Sequence, residues 1–364
     1  MENTAYPNLQ IDLQKLYKNA KKLVSFANAN GINITGVVKG SDSSKEVAKE
    51  FIKAGCMGIA DSRIEKLAKL KKEGIKEDTM LLRVPMLCEV EQVVRYSEIS
   101  LNSEIVVLEA LNIEANNQNK IHKVILMADL GDLREGYFDE EELIKTALHI
   151  ETKLDSLHLY GVGTNLGCFG AICPDESNLG KLAQISEKIS VLIGRKLEIV
   201  SGGATTSLPL LFDSKMPTGI NHLRVGEAML LARDLIDLWG YSMEDYHTDT
   251  FVLEAQVIEV KEKPSHPIGR IFVDAFGNTP EYEDKGMRKR ALIALGKKDI
   301  GHHDSLIPKL KGITVEGSSS DHVILDVTDA VEEIKVGDII EFELYYQAML
   351  YLTASTSVKK IYRG

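Results

Sequence analysis

The chain has 364 residues, enough for two domains or for one large barrel with an appendage. Hydrophobic residues at 44% and charged residues at 27% exclude wholesale disorder and collagen-like or low-complexity architectures. Forty-three Lys and Arg against 54 Asp and Glu leave a formal net charge of −11, which repels nucleic acid and anionic membrane on average and favours a small-molecule partner.

The opening residues, Met1 to Pro7, carry neither a basic stretch nor an apolar signal core, and no apolar run approaches the ~20 residues that span a bilayer. A cytoplasmic location without membrane contact is therefore expected. Leu9, Gln10, Ile11, Asp12 and Leu13 alternate ahead of a first helical stretch at 16–29, so this segment is a candidate strand for pairing with a later sheet. From residue 34 to residue 230, short β-branched runs alternate with stretches whose apolar residues recur at helical spacing. Eight candidate strands fall at 35–39, 57–60, 80–84, 98–102, 123–129, 157–164, 197–201 and 222–225. Eight βα units of this length predict a closed (β/α)8 TIM barrel, with a doubly wound open sheet as the rival.

After Trp239 the period becomes two: Phe251, Leu253, Ala255 and Val257 alternate, as do Val323, Leu325 and Val327, then Ile340, Phe342 and Leu344. An all-β domain is expected at 241–364 together with 1–13, with the barrel at 14–240 and the polar stretch 241–249 as linker. Cys56, Cys88, Cys168 and Cys173 lack paired metal-ligand spacing and are read as reduced thiols.

Barrels place their chemistry at the carboxyl ends of their strands. Here those ends carry Lys39, then Asp61 and Arg63, Arg83, Asn102, the run from Asp129 to Gly136 with Arg134, Thr164 and Asn165, Ser201 to Thr206, and Arg224 to Glu227. A lysine held partly out of water among arginines would be a nucleophilic amine suited to a Schiff base, whereas one that snorkels at a strand end would be ordinary. Ser201, Gly202, Gly203, Thr205 and Thr206, with Gly226 after the next strand, suit a phosphate cradle or a capped glycine turn.

These motifs resemble the pyridoxal-phosphate (PLP) enzymes of the alanine-racemase fold, and within them the ornithine racemase branch, over nearly the whole chain. The resemblance rests on Gln10-Ile11-Asp12-Leu13, Val37-Val38-Lys39, the Asp129 to Gly136 run, Leu223-Arg224-Val225-Gly226-Glu227 and the run from Ser320 to Asp329. Asp274-Ala275-Phe276-Gly277-Asn278, Asp284-Lys285-Gly286 and Arg288-Lys289-Arg290 look specific to the branch.

The resemblance implies pyridoxal 5′-phosphate as cofactor, anchored by Lys39, which would also move the substrate's α-proton. It implies Arg134 at the phenolic oxygen and the substrate carboxylate, Asn165 where the family often has a ring-stacking histidine, and Arg224 at the pyridine nitrogen. Gly203, Thr205 and Gly226 would hold the phosphate, with Ser201 and Thr206 as neighbours, and Asp321 would contact substrate. Glu227 is close enough in sequence to Arg224 to be a rival for the ring nitrogen.

Three departures count against alanine as substrate. No tyrosine stands near 264–269, Met127 replaces a lysine, and no tyrosine stands within 40–44. Racemisation needs a proton carrier on each face of Cα. His266, Asp321, His322, Tyr345, Tyr346 and Cys168 are the candidates opposite Lys39, Cys168 reading more simply as an inert buried thiol. A carrier from another chain's β domain would require a homodimer. The expected reaction is racemisation of a free amino acid, ornithine first and lysine second, with Asp42, Asp274, Glu135 and Asp321 as candidate partners for the side-chain amine. Decarboxylation, D-threonine-type aldol cleavage and a non-catalytic PLP carrier are the rivals. His302-His303 reads as an exposed loop pair, and no metal is expected.

Overall fold

A computed structural model describes residues 5–364. Its contacts divide the chain into two units, Gln14–Tyr246 and Met1–Leu13 with His247–Gly364. Strand β1 (Asn8–Asp12) leads into α1 (Leu13–Ala29), whose buried Leu16, Ala20, Leu23, Val24 and Ala27 recur three and four residues apart. Eight parallel strands follow: β2 (Asn33–Val37), β3 (Gly58–Asp61), β4 (Thr79–Leu81), β5 (Ile99–Asn102), β6 (His122–Met127), β7 (Leu157–Gly163), β8 (Ile199–Ser201) and β9 (His222–Val225). Each pairs with the next, and β9 returns to β2 in the register Asn33 to His222 through Gly36 to Val225. An open sheet would leave β2 or β9 with a free edge; here neither has one, and the barrel is closed.

All eight expected strands are present, most with trimmed ends. The first stops at Val37 because Lys39–Ser41 turns into a 3-10 helix. Val37, Ala60, Met80, Ile99, Leu101, Ile125, Met127 and Ile199 pack into a buried cluster contributed by six of the strands. Helix α2 (Lys45–Ala54) shows how the layers fit. Ser44 caps it by accepting from the Val47 amide, and Gly55 ends it at φ 105°. Its Phe51 lies so close to β2 that a Cβ on Gly36 would come within 2.7 Å of the ring.

The second unit is an antiparallel sheet built on β10 (Phe251–Pro264), β11 (Met287–Ile293), β12 (Leu306–Pro308), β13 (Thr314–Ser318), β14 (Val323–Asp326), β15 (Ile339–Leu344) and β16 (Lys359–Arg363). The strand order is β12-β15-β10-β11-β14-β13. Strand β1 joins it, antiparallel to β10 and parallel to β16, as its alternation suggests. Phe251, Leu253, Ala255 and Val257 form the buried side of β10.

The stretch read as linker divides: residues 241–246 fall with the barrel unit. The Tyr241 ring packs on Phe212 and its hydroxyl donates to Asp213 at 2.8 Å, while Lys22 pairs with Asp245 and lies over the Tyr246 ring. Its aromatic residues, hidden among polar ones, supply that attachment. All four cysteines are free, and burial pushes the Cys56 thiol up to about 12. Among the described residues no helix is long and apolar enough to cross a membrane.

Phe51→Ala should cost about 3–5 kcal/mol, because the helix cannot collapse onto β2 without moving the strand. Urea unfolding monitored by circular dichroism would measure it.

Candidate active site

The eight strand ends share one rim, and the turn after β2 begins there. Lys39 is exposed, which matches the strand-end reading of this lysine and not the one held partly out of water, and the strand ends two residues before it. The turn itself is firmly held. The Ser41 hydroxyl donates to the Val38 carbonyl at 2.9 Å, Asp42 pairs with Lys66 at 2.7 Å, and the Ser43 hydroxyl donates to buried Asp61. These bonds hold Asp42 and Ser43 at φ 52°, a conformation that costs non-glycine residues roughly 1–2 kcal/mol each. Burial pushes the Asp61 carboxyl up, against the opposing pull of the Ser43 hydroxyl, the Arg63 amide and the charge of Lys39.

A cavity of about 380 Å³ is lined by Lys39, Ser62, Leu82, Arg83, Val84, Arg134 and Glu135. Arg83 is held by both oxygens of Glu89, at 2.7 and 2.8 Å. Arg134 pairs with Glu135 through two guanidinium nitrogens, which raises its pKa further. A second cavity, about 440 Å³, opens among Glu104, Tyr137, Phe138 and His149 and is lined by none of the expected cofactor residues.

Arg224 lies inside the barrel, 4% exposed. It donates to the Thr164 carbonyl at 2.7 Å and to the Ser201 hydroxyl. Ser201 Oγ lies 2.8 Å from His222 Nδ1, and His222 Nε2 lies 2.8 Å from Thr35 Oγ1. A guanidinium only donates, so the Ser201 proton is directed to Nδ1, and His222 carries its own proton on Nε2. Burial, with the charge of Arg224 beside it, pushes His222 down to about 3. Burial also pushes Arg224 down to about 10, with Glu135 opposing that shift and Arg134 adding to it. At neutral pH the arginine is charged and the histidine neutral.

Glu227 does not compete for the same place. Its Oε1 accepts the amides of Arg233 and Asp234 at 2.9 and 3.1 Å, at the start of the helix Arg233–Asp237. Burial, with the neighbouring charge of Asp234, pushes its carboxyl up to about 8.

Beyond β8 and β9 the backbone is open. Gly203 sits at φ 111°, where a Cβ would meet Ser207 Oγ at 2.8 Å, and a Cβ on Gly226 would approach the Val37 carbonyl to 3.0 Å. The amides of Gly203, Ala204 and Gly226 donate to no protein acceptor among the described residues. Thr205 Oγ1 accepts the Ala228 amide at 3.3 Å and keeps its own proton available, whereas the Thr206 hydroxyl donates to the Leu166 carbonyl at 3.0 Å. Asn165 has a buried Nδ2 without an acceptor.

Asp132 is not among the residues the motifs single out, although it stands inside the Asp129 to Gly136 run. Its carboxylate accepts the amides of Gly167, Phe169 and Gly170 at 3.1, 3.0 and 3.2 Å and so shapes the loop after β7. Burial alone would raise this carboxyl, but the amides of Phe169, Gly167 and their neighbours outweigh it and hold it below the usual range. That loop carries Cys168, which is exposed, not buried as expected.

The other candidates belong to the β unit. Asp321 is exposed and paired with Lys298 at 2.7 Å. His266 Nδ1 lies 2.8 Å from the Pro267 carbonyl, His322 is exposed, and Tyr345 and Tyr346 are half-buried. Asp274 accepts the amides of Phe276 and Asn278, each at 2.8 Å, within its own turn. The His302 and His303 rings stack at 4.5 Å with Asp304 3.3 Å from each, a grouping that the His-His pair alone does not reveal.

Residues 11–234 match the family model described as alanine racemase, N-terminal domain. The chain is 45% identical over 355 residues to the ornithine racemase of Acetoanaerobium sticklandii, covering 98% of this chain and 99% of that one. It is 39% identical over 357 residues to the lysine racemase of Thermotoga maritima, covering 98% of each. The crystal structure of alanine racemase from Streptomyces lavendulae superposes with a TM-score of 0.76 at 16% identity, covering 100% of this chain and 98% of that one, a likeness of fold.

Asp132→Ala should speed amide exchange at 167–170 about tenfold or more, read by hydrogen–deuterium exchange with mass spectrometry. Because the folded carboxyl titrates below its unfolded value, the stabilisation it gives is complete at neutral pH and fades as pH falls through the carboxylate range. Thermal melting across that range should show a flatter acid limb in Asp132→Asn.

Proposed function

This chain belongs to the alanine racemase family, and we propose that it interconverts the enantiomers of a free diamino acid, ornithine first and lysine second, using pyridoxal 5′-phosphate. The observation that carries this reading is the convergence of Lys39 and Arg134 on one cavity, with buried Arg224 within electrostatic reach of Arg134. The near full-length likeness to an ornithine racemase and a lysine racemase supports the choice of substrate.

The residues fit the cofactor. The open amides of Gly203, Ala204 and Gly226, with the available Thr205 proton, match a phosphate group, and Asn165 Nδ2 still needs an acceptor. Ser201 and Thr206 flank this cradle with their protons already given to His222 and Leu166.

When bound, pyridoxal phosphate supplies an electron-accepting ring that acidifies the α-proton of an attached amino acid. Lys39 supplies the amine that anchors it and carries a proton at one face of Cα. Arg224 would meet the ring nitrogen as a donor that keeps its proton at neutral pH, which would favour immediate return of the α-proton over slower alternative chemistry. Arg134 would receive the substrate carboxylate, a pairing its guanidinium fork can make with two bonds.

The carrier on the opposite face comes from the β unit of a second copy in this reading, so the working enzyme is a homodimer with C2 symmetry. Exposed apolar residues support it: Leu133, Phe138 and Phe169 on barrel loops, and Ile268 and Phe272 on a loop of the β unit.

Purified protein supplied with the cofactor should racemise L-ornithine fastest, then L-lysine, with L-alanine slowest, as resolved by chiral chromatography. Lys39→Ala should lose at least about a thousandfold. Wild type inert on all three would reject the reading. Sedimentation velocity should give a dimer, and Phe169→Ser with Phe138→Ser should shift it toward monomer with loss of turnover.

A further inference from the structure

A diamino acid brings two charges besides its reacting amine, an α-carboxylate and a side-chain ammonium. The mouth cavity presents three cations, Lys39, Arg83 and Arg134, and a single carboxylate, Glu135. Arg83 is already engaged by Glu89. The other acids considered for the ammonium are engaged as well: Asp42 by Lys66, Asp321 by Lys298, and Asp274 by the amides of its own turn. Glu135 has Arg134 as its partner, and Arg134 is the residue that the substrate carboxylate calls away.

Local backbone explains how two consecutive side chains come to share one cavity. Leu133 sits at φ 56° and Gly136 at φ 130°, so the chain reverses on both sides of the pair. A Cβ on Gly136 would meet the Asp129 amide at 2.6 Å, so this reversal needs glycine. Tyr137 then bonds back to Met127, and Asp129 to Tyr137, which closes the loop on β6 and fixes the base of Glu135.

We propose that Glu135 receives the side-chain ammonium of the substrate by ion-pair exchange, Arg134 leaving it for the substrate carboxylate as the ammonium takes the guanidinium's place. A diamino acid thereby replaces one internal ion pair with two to itself, and no charge is stranded. An amino acid with an apolar side chain draws Arg134 away and leaves a mostly buried carboxylate unpaired, so selectivity comes from a penalty on the wrong substrate as much as from attraction for the right one. The inference rests on the racemase reading and deepens it by assigning the residue that selects the substrate class.

The test compares wild type, Glu135→Gln and Glu135→Asp on L-ornithine, L-lysine and L-norvaline, the last having ornithine's carbon chain without the second amine. Glu135→Gln should raise KM for ornithine and lysine about tenfold or more, with kcat little changed, while KM for norvaline stays level or falls. Glu135→Asp should lie between the two, and it carries the test alone if the glutamine variant does not fold. Equal changes for ornithine and norvaline, or none for either, would overturn the assignment, as would a wild type that takes norvaline as readily as ornithine. A wild type inert on every substrate would instead remove the racemase reading beneath it.

Discussion

A permanent positive charge inside the barrel is the constraint to which its neighbourhood conforms. Arg224 could not remain charged in an apolar interior without hydrogen-bond acceptors, and its acceptors come from adjacent strands. Thr164 follows β7, Ser201 belongs to β8, His222 shares β9 with Arg224, and Thr35 lies on β2, so one chain of bonds ties four neighbouring strands together. Barrel closure brings β2 beside β9, and without that closure the chain would end at His222. The same network keeps His222 neutral, since a second ring proton would oppose the Ser201 hydroxyl as well as the charge of Arg224.

The charge also sets the local division of labour. In the proposed reading a donor-only group in the interior leaves proton transfer to residues at the rim, where Lys39 stands on a turn fastened by Asp61, Ser43 and the Asp42–Lys66 pair. Glu227, the nearest carboxylate in sequence, is spent on the amides of the following helix. Arg134 and Glu135 neutralise each other, and the proposed exchange with a substrate of matching charges would join recognition to the step that frees Arg134.

Much of this was legible in the sequence because burial leaves a period. The eight strands, the first helix and the alternating runs of β10, β14 and β15 follow from which residues face inward, and strand ends locate Lys39, Arg134 and Arg224. Period does not reveal partners. Asp132 finds its amides 35 to 38 residues away, and Thr35 meets His222 across 187 residues, so neither pairing leaves a local trace. The exposure of Lys39 and Cys168 depends on where a strand stops and how a loop is held, and boundaries carry weaker signals than the elements they bound. Residues 241–246 look like linker because their polar majority masks the two tyrosines by which they attach.

The most direct test of the account is to find the lysine that carries the cofactor. Protein loaded with pyridoxal phosphate, reduced with borohydride and digested, should yield one phosphopyridoxyl-bearing peptide, modified at Lys39. Modification at a different lysine, or a reduced protein bearing no label, would contradict the placement of the chemistry at the end of β2.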